Sequence, residues 1–242
     1  MPLSTKSIPA HERLIVALDF PTHEQAKNLV EILGETVSFY KIGLELFMAG
    51  DYFQLIDWLQ QRNKKIFADL KFYDIPATVE RAVRALSKTG VQFATVHGDK
   101  AIMQAAARGK GEMQILAVTV LTSLDEKALE EMGFQGNLQS LVIQRATQAW
   151  EAGLDGVIAS GLEAGLIRQT AGTGPLIVSP GIRPEGTPAN DQIRITTVQQ
   201  AFDMGVDYIV VGRPIRDDKD PKAAAKAIQL QIQRQFAIDE EV

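Results

Sequence analysis

The chain has 242 residues, of which 45% are hydrophobic and 23% charged, with a formal net charge of −5 and no cysteine. This composition is typical of a soluble globular protein. The negative charge excludes a general attraction to nucleic acid or anionic membranes, so any phosphate chemistry must depend on a local basic pocket. The lack of cysteine excludes disulfides, thiolate metal sites and a cysteine nucleophile.

The chain carries no sign of membrane insertion or export. No stretch approaches the roughly 20 apolar residues that a membrane-spanning helix needs, and the polar segment Met1–Glu12 lacks the apolar core of a signal peptide. No linker, low-complexity segment or charge run divides the sequence. We therefore expect one domain, residues 1–242, in a cytoplasmic protein with neither a nucleic-acid nor a membrane partner.

Short apolar runs alternate with longer amphipathic segments along the whole chain, as in repeated strand–helix units on a parallel sheet. The predicted strands are Leu14–Leu18, Val37–Ile42, Lys65–Leu70, Phe93–Val96, Ile115–Val120, Gly156–Ala159, Leu176–Val178 and Tyr208–Val211. The predicted helices are His23–Leu33, Phe53–Arg62, Pro76–Lys88, Lys100–Arg108, Leu138–Ala152, Gly161–Thr170, Thr197–Met204 and Pro221–Phe236. This pattern predicts an α/β fold, the (β/α)₈ TIM barrel, with a doubly wound sheet as the alternative.

Charged residues stand where the first three predicted strands end. In a (β/α)₈ barrel the active site forms at the C-terminal ends of the strands. Burying several charges costs free energy even when they are paired, so a protein that needed only stability would use apolar residues there. We interpret the cluster as functional, with a structural network of ion pairs as the alternative. Its members are Asp19, Lys41, Asp69, Lys71 and, just beyond the third strand, Asp74.

The end of the third strand is the most informative part of the chain. Side chains two apart on a strand share a face, so Asp69 and Lys71 should lie side by side, with Asp74 in the following turn. Pro76 fits the first turn of the next helix, and Thr78 offers a hydroxyl there. Flanking carboxylates at about 4 Å, each worth about 4 kcal/mol at an effective dielectric near 20, should raise the pKa of Lys71. We expect a proton donor rather than a Schiff-base amine.

The loops after the seventh and eighth strands frequently hold phosphate in such barrels. Gly212 and Arg213 follow the eighth predicted strand, and Arg183 follows the seventh. Gly212 permits close backbone approach, and Arg213 offers a bidentate fork. The long connection at residues 179–196 is expected to be a mobile lid that carries Gln192 over the same phosphate.

Histidine and metal chemistry have little support. His11 and His23 fit surface or helix-capping roles, and His97 ends the fourth strand, where contact with the site is expected to be indirect. No spacing of His, Cys and carboxylate residues resembles a metal-binding motif, so we expect neither a metal nor a cofactor.

Six short motifs, in order along the chain, resemble those of bacterial-type orotidine 5′-phosphate decarboxylases, and the resemblance covers nearly the whole length. It implies a (β/α)₈ homodimer that converts orotidine 5′-phosphate to uridine 5′-phosphate and carbon dioxide, the last step of UMP biosynthesis, without cofactor or metal. Two departures are Ala77, where many members have Asn, and Tyr73, where many have His. The motifs are Val16–Asp19, Tyr40–Gly43, Asp69–Pro76, Leu121–Ser123, Ser179–Arg183 and Val211–Ile215.

The resemblance also implies roles for individual residues. Lys71 would be the catalytic acid, and Asp74 and Thr78 would reach into the partner subunit's site. Asp19 and Lys41 would contact the ribose. Thr122 would contact the pyrimidine side, while Arg183, Gln192, Gly212 and Arg213 would form the phosphate and lid group. The other predicted substrate-binding residues are Asp69, Leu70, Phe72, Tyr73, Ile75, Pro76 and Ala77.

The chemistry of the residues agrees with this interpretation. Loss of carbon dioxide from a pyrimidine carbon without an electron sink leaves a carbanion, which the Lys71 ammonium can stabilise and then protonate. Asp69 could repel the departing carboxylate or could mainly fix Lys71 in place, and both possibilities stay open.

Two other functions are compatible with the pattern. Related barrel decarboxylases or aldolases for sugar phosphates share the Asp-x-Lys-x-x-Asp motif but stabilise an enediolate with a divalent metal. They need an acidic ligand on the second strand, where this chain has Lys41. The other possibility is a phosphometabolite-binding protein that has lost catalysis, and the presence of every proposed catalytic residue argues against it.

Overall fold

Eight parallel strands close into a barrel in sequence order, and the eighth pairs with the first. The computed structural model describes residues 4–183 and 193–236. This topology confirms the predicted (β/α)₈ fold and excludes the doubly wound sheet, which would be open. The strands are β1 (Leu14–Ala17), β2 (Phe39–Gly43), β3 (Lys65–Phe72), β4 (Phe93–Val96), β5 (Gln114–Val118), β6 (Gly156–Ile158), β7 (Leu176–Ser179) and β8 (Tyr208–Val211).

Helices connect the strands around the outside of the barrel. Every predicted strand and helix is found, with boundaries that differ by no more than two residues. The helices of the described chain are α1 (His23–Leu33), α2 (Leu44–Met48), α3 (Tyr52–Gln60), α4 (Pro76–Leu86), α5 (Lys100–Gly109), α6 (Glu126–Glu131), α7 (Leu138–Glu151), α8 (Gly161–Ala171), α9 (Val198–Asp203), α10 (Arg213–Arg216) and α11 (Pro221–Phe236). Helices α2, α6 and α10 were not predicted.

The apolar core has two layers because successive side chains on a strand point to opposite faces. Inward-facing aromatic residues close the interior of the barrel, with ring centroids 5.0 Å apart for Phe39 and Phe93 and 5.2 Å apart for Phe93 and Tyr208. Outward-facing residues such as Val16 and Ala94 pack beneath the helices. The packed aromatic rings fill the interior of the barrel beneath the polar groups at the C-terminal ends of the strands.

The start of α4 fixes the end of the charged segment after β3. Pro76 is at the first helical position, as predicted, where a missing N–H costs no hydrogen bond. Within the described residues, no helix is long and apolar enough to cross a membrane. A cytoplasmic location remains a prediction.

Candidate active site

Four charged side chains from β2, β3 and the end of β1 form a continuous chain of ion pairs. Lys71 Nζ lies 2.9 Å from Asp69 Oδ1, and Lys41 Nζ lies 3.4 Å from Asp69 Oδ2 and 2.8 Å from Asp19 Oδ1. Acid and base alternate along it, so each carboxylate faces at least one ammonium. Adjacent barrel strands bring the four residues together because β1, β2 and β3 pair in register.

The central pair of this network is shielded from water, and its protonation states are well defined. Burial alone would raise the pKa of Asp69, but the charges of Lys41 and Lys71, with hydrogen bonds from Lys71 and Thr95, hold that pKa below its ordinary value. Burial would lower the pKa of Lys41, but Asp69 and Asp19 together raise it. Asp69 is therefore a carboxylate and Lys41 an ammonium at neutral pH.

Lys71 projects from a β-bulge. Ala68 pairs with Ala94, but the next pairing joins Phe72 to Val96, so β3 contains two more residues than β4 across this interval. Within it Lys71 takes a left-handed backbone conformation with φ of 48°. A non-glycine residue pays about 1–2 kcal/mol for this conformation, so surrounding contacts must hold it in place.

A cavity of about 430 Å³ opens beside the ion pairs at the C-terminal ends of the strands. This volume lies in the range of small-molecule sites. Apolar side chains, among them Val118, Ile158 and Val210, line its floor. Its polar lining consists of Asp19, Lys41, Asp69, Lys71, Thr122, Ser123, Arg183, Arg213 and Arg216.

Three arginines gather along the wall formed by the loops after β7 and β8. Arg183 is buried, and its backbone N–H donates to Thr196 O at 2.9 Å. Arg213 begins α10, directly after Gly212. Arg216, at the end of α10, donates from Nη1 to the backbone oxygen of Asp19 at 2.7 Å. The cavity thus has an acid–base network on one wall and a concentration of positive charge on another.

Gly212 lies on the cavity lining between these walls. A Cβ added there would meet Ala17 Cβ at 3.5 Å and Asp19 Oδ2 at 3.9 Å, which are ordinary contacts. The surrounding protein therefore does not itself demand glycine at this position. What a side chain would do is occupy cavity space, which agrees with the expected close approach of a ligand to this backbone.

Asp74 and Thr78 lie outside the cavity. Asp74 is exposed, and its Oδ1 accepts a hydrogen bond of 2.6 Å from Ile75 N. Thr78 is partly buried in the first turn of α4. Both residues follow β3, the strand that contains Lys71, but neither lines the cavity that Lys71 lines.

The other predicted substrate-binding residues at positions 70–77 lie partly in the core and partly on the surface. Leu70 and Phe72 pack against the apolar layer between barrel and helices. Tyr73 and Ile75 are 70% and 66% exposed. None of these side chains lines the cavity in the single chain, nor do Pro76 and Ala77; their contact with substrate remains a prediction.

His97 lies beside the site rather than in it. Its ring packs edge-on to Tyr73 at 5.7 Å and lines a separate open hollow with Arg145. Burial, together with the positive charges of Arg145 and Lys71, lowers the pKa of His97. The neutral imidazole is thereby favoured.

The predicted lid falls mostly on residues 184–192, so that segment and Gln192 lie outside the described residues. The chain that follows is anchored over the loop after β5. Arg194 Nη1 lies 2.7 Å from Glu163 Oε1, and the Arg194 Nη2 atom donates to two backbone oxygens, those of Val120 and Leu121, at 2.9 Å each. Thr122 O accepts from the backbone N–H of Arg194 at 3.3 Å.

With this geometry in place, comparison with known proteins identifies the family. The sequence model described as "Orotidine 5'-phosphate decarboxylase / HUMPS family" matches residues 12–228. The chain belongs to this family. The match confirms the resemblance inferred from the six motifs.

Individual members of the family agree along nearly the full chain. A protein of Methylococcus capsulatus named orotidine 5′-phosphate decarboxylase is 59% identical over 236 residues, covering 97% of this chain and 98% of the relative. One of the same name from Xanthomonas campestris is 53% identical over 227 residues, covering 93% of each. The crystal structure of orotidine 5′-phosphate decarboxylase from Lactobacillus acidophilus superposes with a TM-score of 0.82 at 36% identity, covering 91% of this chain and 99% of that one.

Two polar residues of the site were missed by sequence reasoning. Arg216 lies three positions beyond Arg213, and a second arginine so close after the eighth strand was the available signal. Thr95 stands between Ala94 and Val96, and its side chain shares the inward face of β4 with Phe93. A polar residue on the inward face of an apolar strand was the available signal.

Among the described residues, no three His, Asp or Glu side chains are grouped so that they could hold a metal ion. The expectation that the reaction needs neither metal nor cofactor stays a prediction, to be tested by chelation.

Proposed function

We propose that this protein converts orotidine 5′-phosphate to uridine 5′-phosphate and carbon dioxide in pyrimidine biosynthesis. The observation that carries the proposal is the shared cavity: the Lys71–Asp69 ion pair lines one wall, and Arg183 and Arg213 line another. The substrate has an anionic phosphate at one end and a carboxylate on its ring at the other. The site offers matching groups to both.

Lys71 acts as the acid. The bond between the ring carbon and the carboxylate carbon breaks, and its electron pair stays on the ring carbon as carbon dioxide leaves. The ammonium of Lys71 stabilises this carbanion and donates a proton to it, which forms the new C–H bond. The resulting amine regains a proton from water before the next turnover.

Asp69 keeps Lys71 in position and keeps a negative charge close to the leaving group. Its Oδ1 atom accepts from Lys71 at 2.9 Å, so the lysine side chain is oriented before substrate arrives. A substrate carboxylate beside this ion pair is repelled by Asp69, and that repulsion is relieved as neutral carbon dioxide departs.

The arginines supply binding energy at a distance from the reacting carbon. Guanidinium groups bind phosphate through paired, charge-assisted hydrogen bonds. Energy from this remote contact can be used to order the groups around the reacting carbon and to exclude water. Asp19 and Lys41 line the same cavity, and their side chains can bind hydroxyl groups of a ribose.

We also propose a homodimer in which Asp74 and Thr78 complete the partner subunit's site. Asp74 is exposed in the single chain although it lies only three positions beyond Lys71. Large apolar side chains surround this end of the barrel: Met48 on α2 is 79% exposed, and Ile75 beside Asp74 is 66% exposed. A partner that covered these groups would bury apolar surface and bring in the missing carboxylate.

A metal-dependent reaction on a sugar phosphate is less compatible with this arrangement. The position that would need an acidic ligand holds Lys41, whose ammonium lies between Asp19 and Asp69. A divalent cation at these carboxylates would be repelled by two ammonium groups, those of Lys41 and Lys71, or would have to displace them.

The deciding experiment follows orotidine 5′-phosphate by ultraviolet absorbance with purified protein in excess EDTA. We expect complete conversion to uridine 5′-phosphate at the same rate with and without chelator. Loss of turnover on EDTA treatment with recovery on adding magnesium would overturn the metal-free mechanism. Absence of conversion in both conditions by folded protein would overturn the proposed function.

A further inference from the structure

Thr95 on β4 joins the two residues at the centre of the site through one oxygen atom. Its Oγ1 accepts a hydrogen bond from the backbone N–H of Lys71 at 2.9 Å and donates one to Asp69 Oδ1 at 2.9 Å. The residue is completely buried. We propose that Thr95 is a positioning residue for the decarboxylation, an inference that rests on the proposed function.

The directions of the two hydrogen bonds follow from chemistry. A hydroxyl has one proton and two lone pairs, and a backbone N–H can only donate. The Lys71 N–H therefore takes a lone pair, and the single O–H remains for the Asp69 carboxylate, which can only accept while ionised. The low pKa of Asp69 keeps it ionised. No other arrangement satisfies all three groups.

The hydrogen bond to the Lys71 backbone stabilises the bulge. Lys71 has a φ of 48°, a conformation that costs free energy for a lysine. Thr95 lies on β4 inside the interval where the pairing jumps from Ala68–Ala94 to Phe72–Val96. The Thr95 hydroxyl therefore accepts the hydrogen bond that a backbone oxygen of the neighbouring strand would accept from Lys71 N in a regular sheet. This contact fixes the backbone position of Lys71, from which its side chain extends.

The hydrogen bond to Asp69 fixes the other end of the pair. Asp69 Oδ1 accepts from both Thr95 and Lys71, while Oδ2 faces Lys41 at 3.4 Å. With the Thr95 contact, the carboxylate plane is held by donors from three strands. Without it, the carboxylate can turn with Lys71, and the ammonium no longer has one position relative to the ring carbon.

Packing alone does not require threonine here. The inward residue before it on β4 is Phe93, and Leu116, which pairs with Thr95 on β5, is also apolar. Valine has nearly the same shape as threonine and a high strand propensity. The hydroxyl is therefore the part of Thr95 that the site uses.

The test compares Thr95→Val, Thr95→Ala and Thr95→Ser. Loss of a buried hydrogen bond to a charged group predicts a roughly 10- to 100-fold fall in kcat for the valine and alanine variants. The KM for orotidine 5′-phosphate and the Kd for uridine 5′-phosphate should change by less than about threefold, because the phosphate wall is untouched. Thr95→Ser keeps the hydroxyl and should retain kcat within about threefold of wild type.

These readouts separate positioning from simple destabilisation. A merely structural role would lower the melting temperature and leave the kcat of the folded enzyme unchanged. Wild-type kcat in both Thr95→Val and Thr95→Ala would overturn the inference, as would a Thr95→Ser variant as slow as Thr95→Val. An inactive wild type would count against the proposed function instead.

A measurement on the wild-type protein needs neither substrate nor variant. Hydrogen exchange followed by NMR should show the Lys71 amide protected like the amides of β4. Exchange as fast as that of an exposed loop amide would contradict the Thr95 contact, even if neither hydroxyl-deleting variant folded.

Discussion

The carboxylate of Asp69 and the ammonium of Lys71 lie 2.9 Å apart at the end of the same strand. Both residues belong to a stretch of β3 where two extra residues interrupt the pairing with β4. The ion pair is therefore formed by residues close in sequence but held by neighbours on β2 and β4. Substitutions on any of the three strands should therefore alter the geometry of this ion pair.

The depressed pKa of Asp69 predicts a specific dependence of stability on pH. Its folded pKa lies below the ordinary value of 3.8, so the unfolded chain binds the proton more readily. The stability that Asp69 contributes is present above about pH 3.8 and is lost as pH falls through the folded pKa. Between pH 6 and pH 3, the free energy of unfolding in urea should fall more steeply for wild type than for Asp69→Asn.

Asp217 provides the control for this measurement. Its pKa is also lowered, by the hydrogen bond and charge of Arg216, but its side chain is 53% exposed. Solvent screening makes such a pair worth little, so Asp217→Asn should follow the wild-type curve closely. Parallel curves for wild type and Asp69→Asn would show that Asp69 is not held as a carboxylate by its neighbours.

Arg213 should contribute to binding through the phosphate. Replacing it with methionine should weaken uridine 5′-phosphate binding by roughly 10- to 100-fold, the value of a lost charge-assisted hydrogen bond. Binding of uridine, which lacks the phosphate, should be nearly unchanged. Isothermal titration with both ligands measures the difference.

The matched control is Arg108→Met, because Arg108 is an exposed arginine on α5 that pairs with Glu80 away from the cavity. It should bind both ligands like wild type. An Arg213→Met protein that lost equal affinity for uridine and its phosphate would place Arg213 elsewhere than at the phosphate.

The shared-site proposal predicts complementation between two inactive chains. Lys71→Ala lacks the acid, and Asp74→Asn lacks the carboxylate lent to the partner. In a mixed dimer one of the two sites contains both mutations and the other contains neither. Mixing should restore up to a quarter of wild-type activity per chain once half of the dimers are hybrids, as equal random exchange produces.

Exchange itself must be shown by differently tagged chains that co-purify. Each variant incubated alone under the same conditions is the control and should stay inactive. Complete exchange without recovered turnover would mean that Asp74 acts within its own subunit.

The dimer surface can be tested separately from catalysis. Met48→Glu places a charge on the exposed end of α2 and should weaken self-association by at least about tenfold, since a buried unpaired charge is costly at an interface. Leu230→Glu is the matched control, because Leu230 is an apolar residue on α11 that is 51% exposed. Sedimentation equilibrium over a range of concentrations gives both association constants; equal values would place the interface elsewhere.

Much of the fold could be predicted because long helices and regularly spaced strands leave a recognisable pattern of apolar residues in the sequence. The strands Phe93–Val96 and Tyr208–Val211 and the helix His23–Leu33 have the predicted bounds. Helices α2 and α10 are five and four residues long, too short for a 3.6-residue period to show. They form because the chain must turn back after a strand, which is a property of the tertiary structure.

The charged residues of the site were predicted because they stand at strand ends. The features that depend on local backbone geometry, such as the bulge at Lys71, were missed. Asp19, Lys41, Asp69 and Lys71 meet because adjacent strands of a closed barrel must bring their ends together. The bulge at Lys71 has no sequence signal, since lysine is not a residue that favours positive φ. Because the bulge could not be predicted from the sequence, the hydrogen bond from Lys71 N to Thr95 could not be predicted either.

The role of Lys71 as the acid can be tested with the variant Lys71→Ala. Its kcat on orotidine 5′-phosphate and its Kd for uridine 5′-phosphate should be compared with those of wild type and of Lys65→Ala. Lys65 is at the opposite end of β3, paired with Glu12 at 2.6 Å, so that variant should turn over normally. We predict that Lys71→Ala binds the product within about tenfold of wild type but loses at least about 10⁴-fold in kcat. A folded Lys71→Ala enzyme with near-normal turnover would show that Lys71 is not the acid.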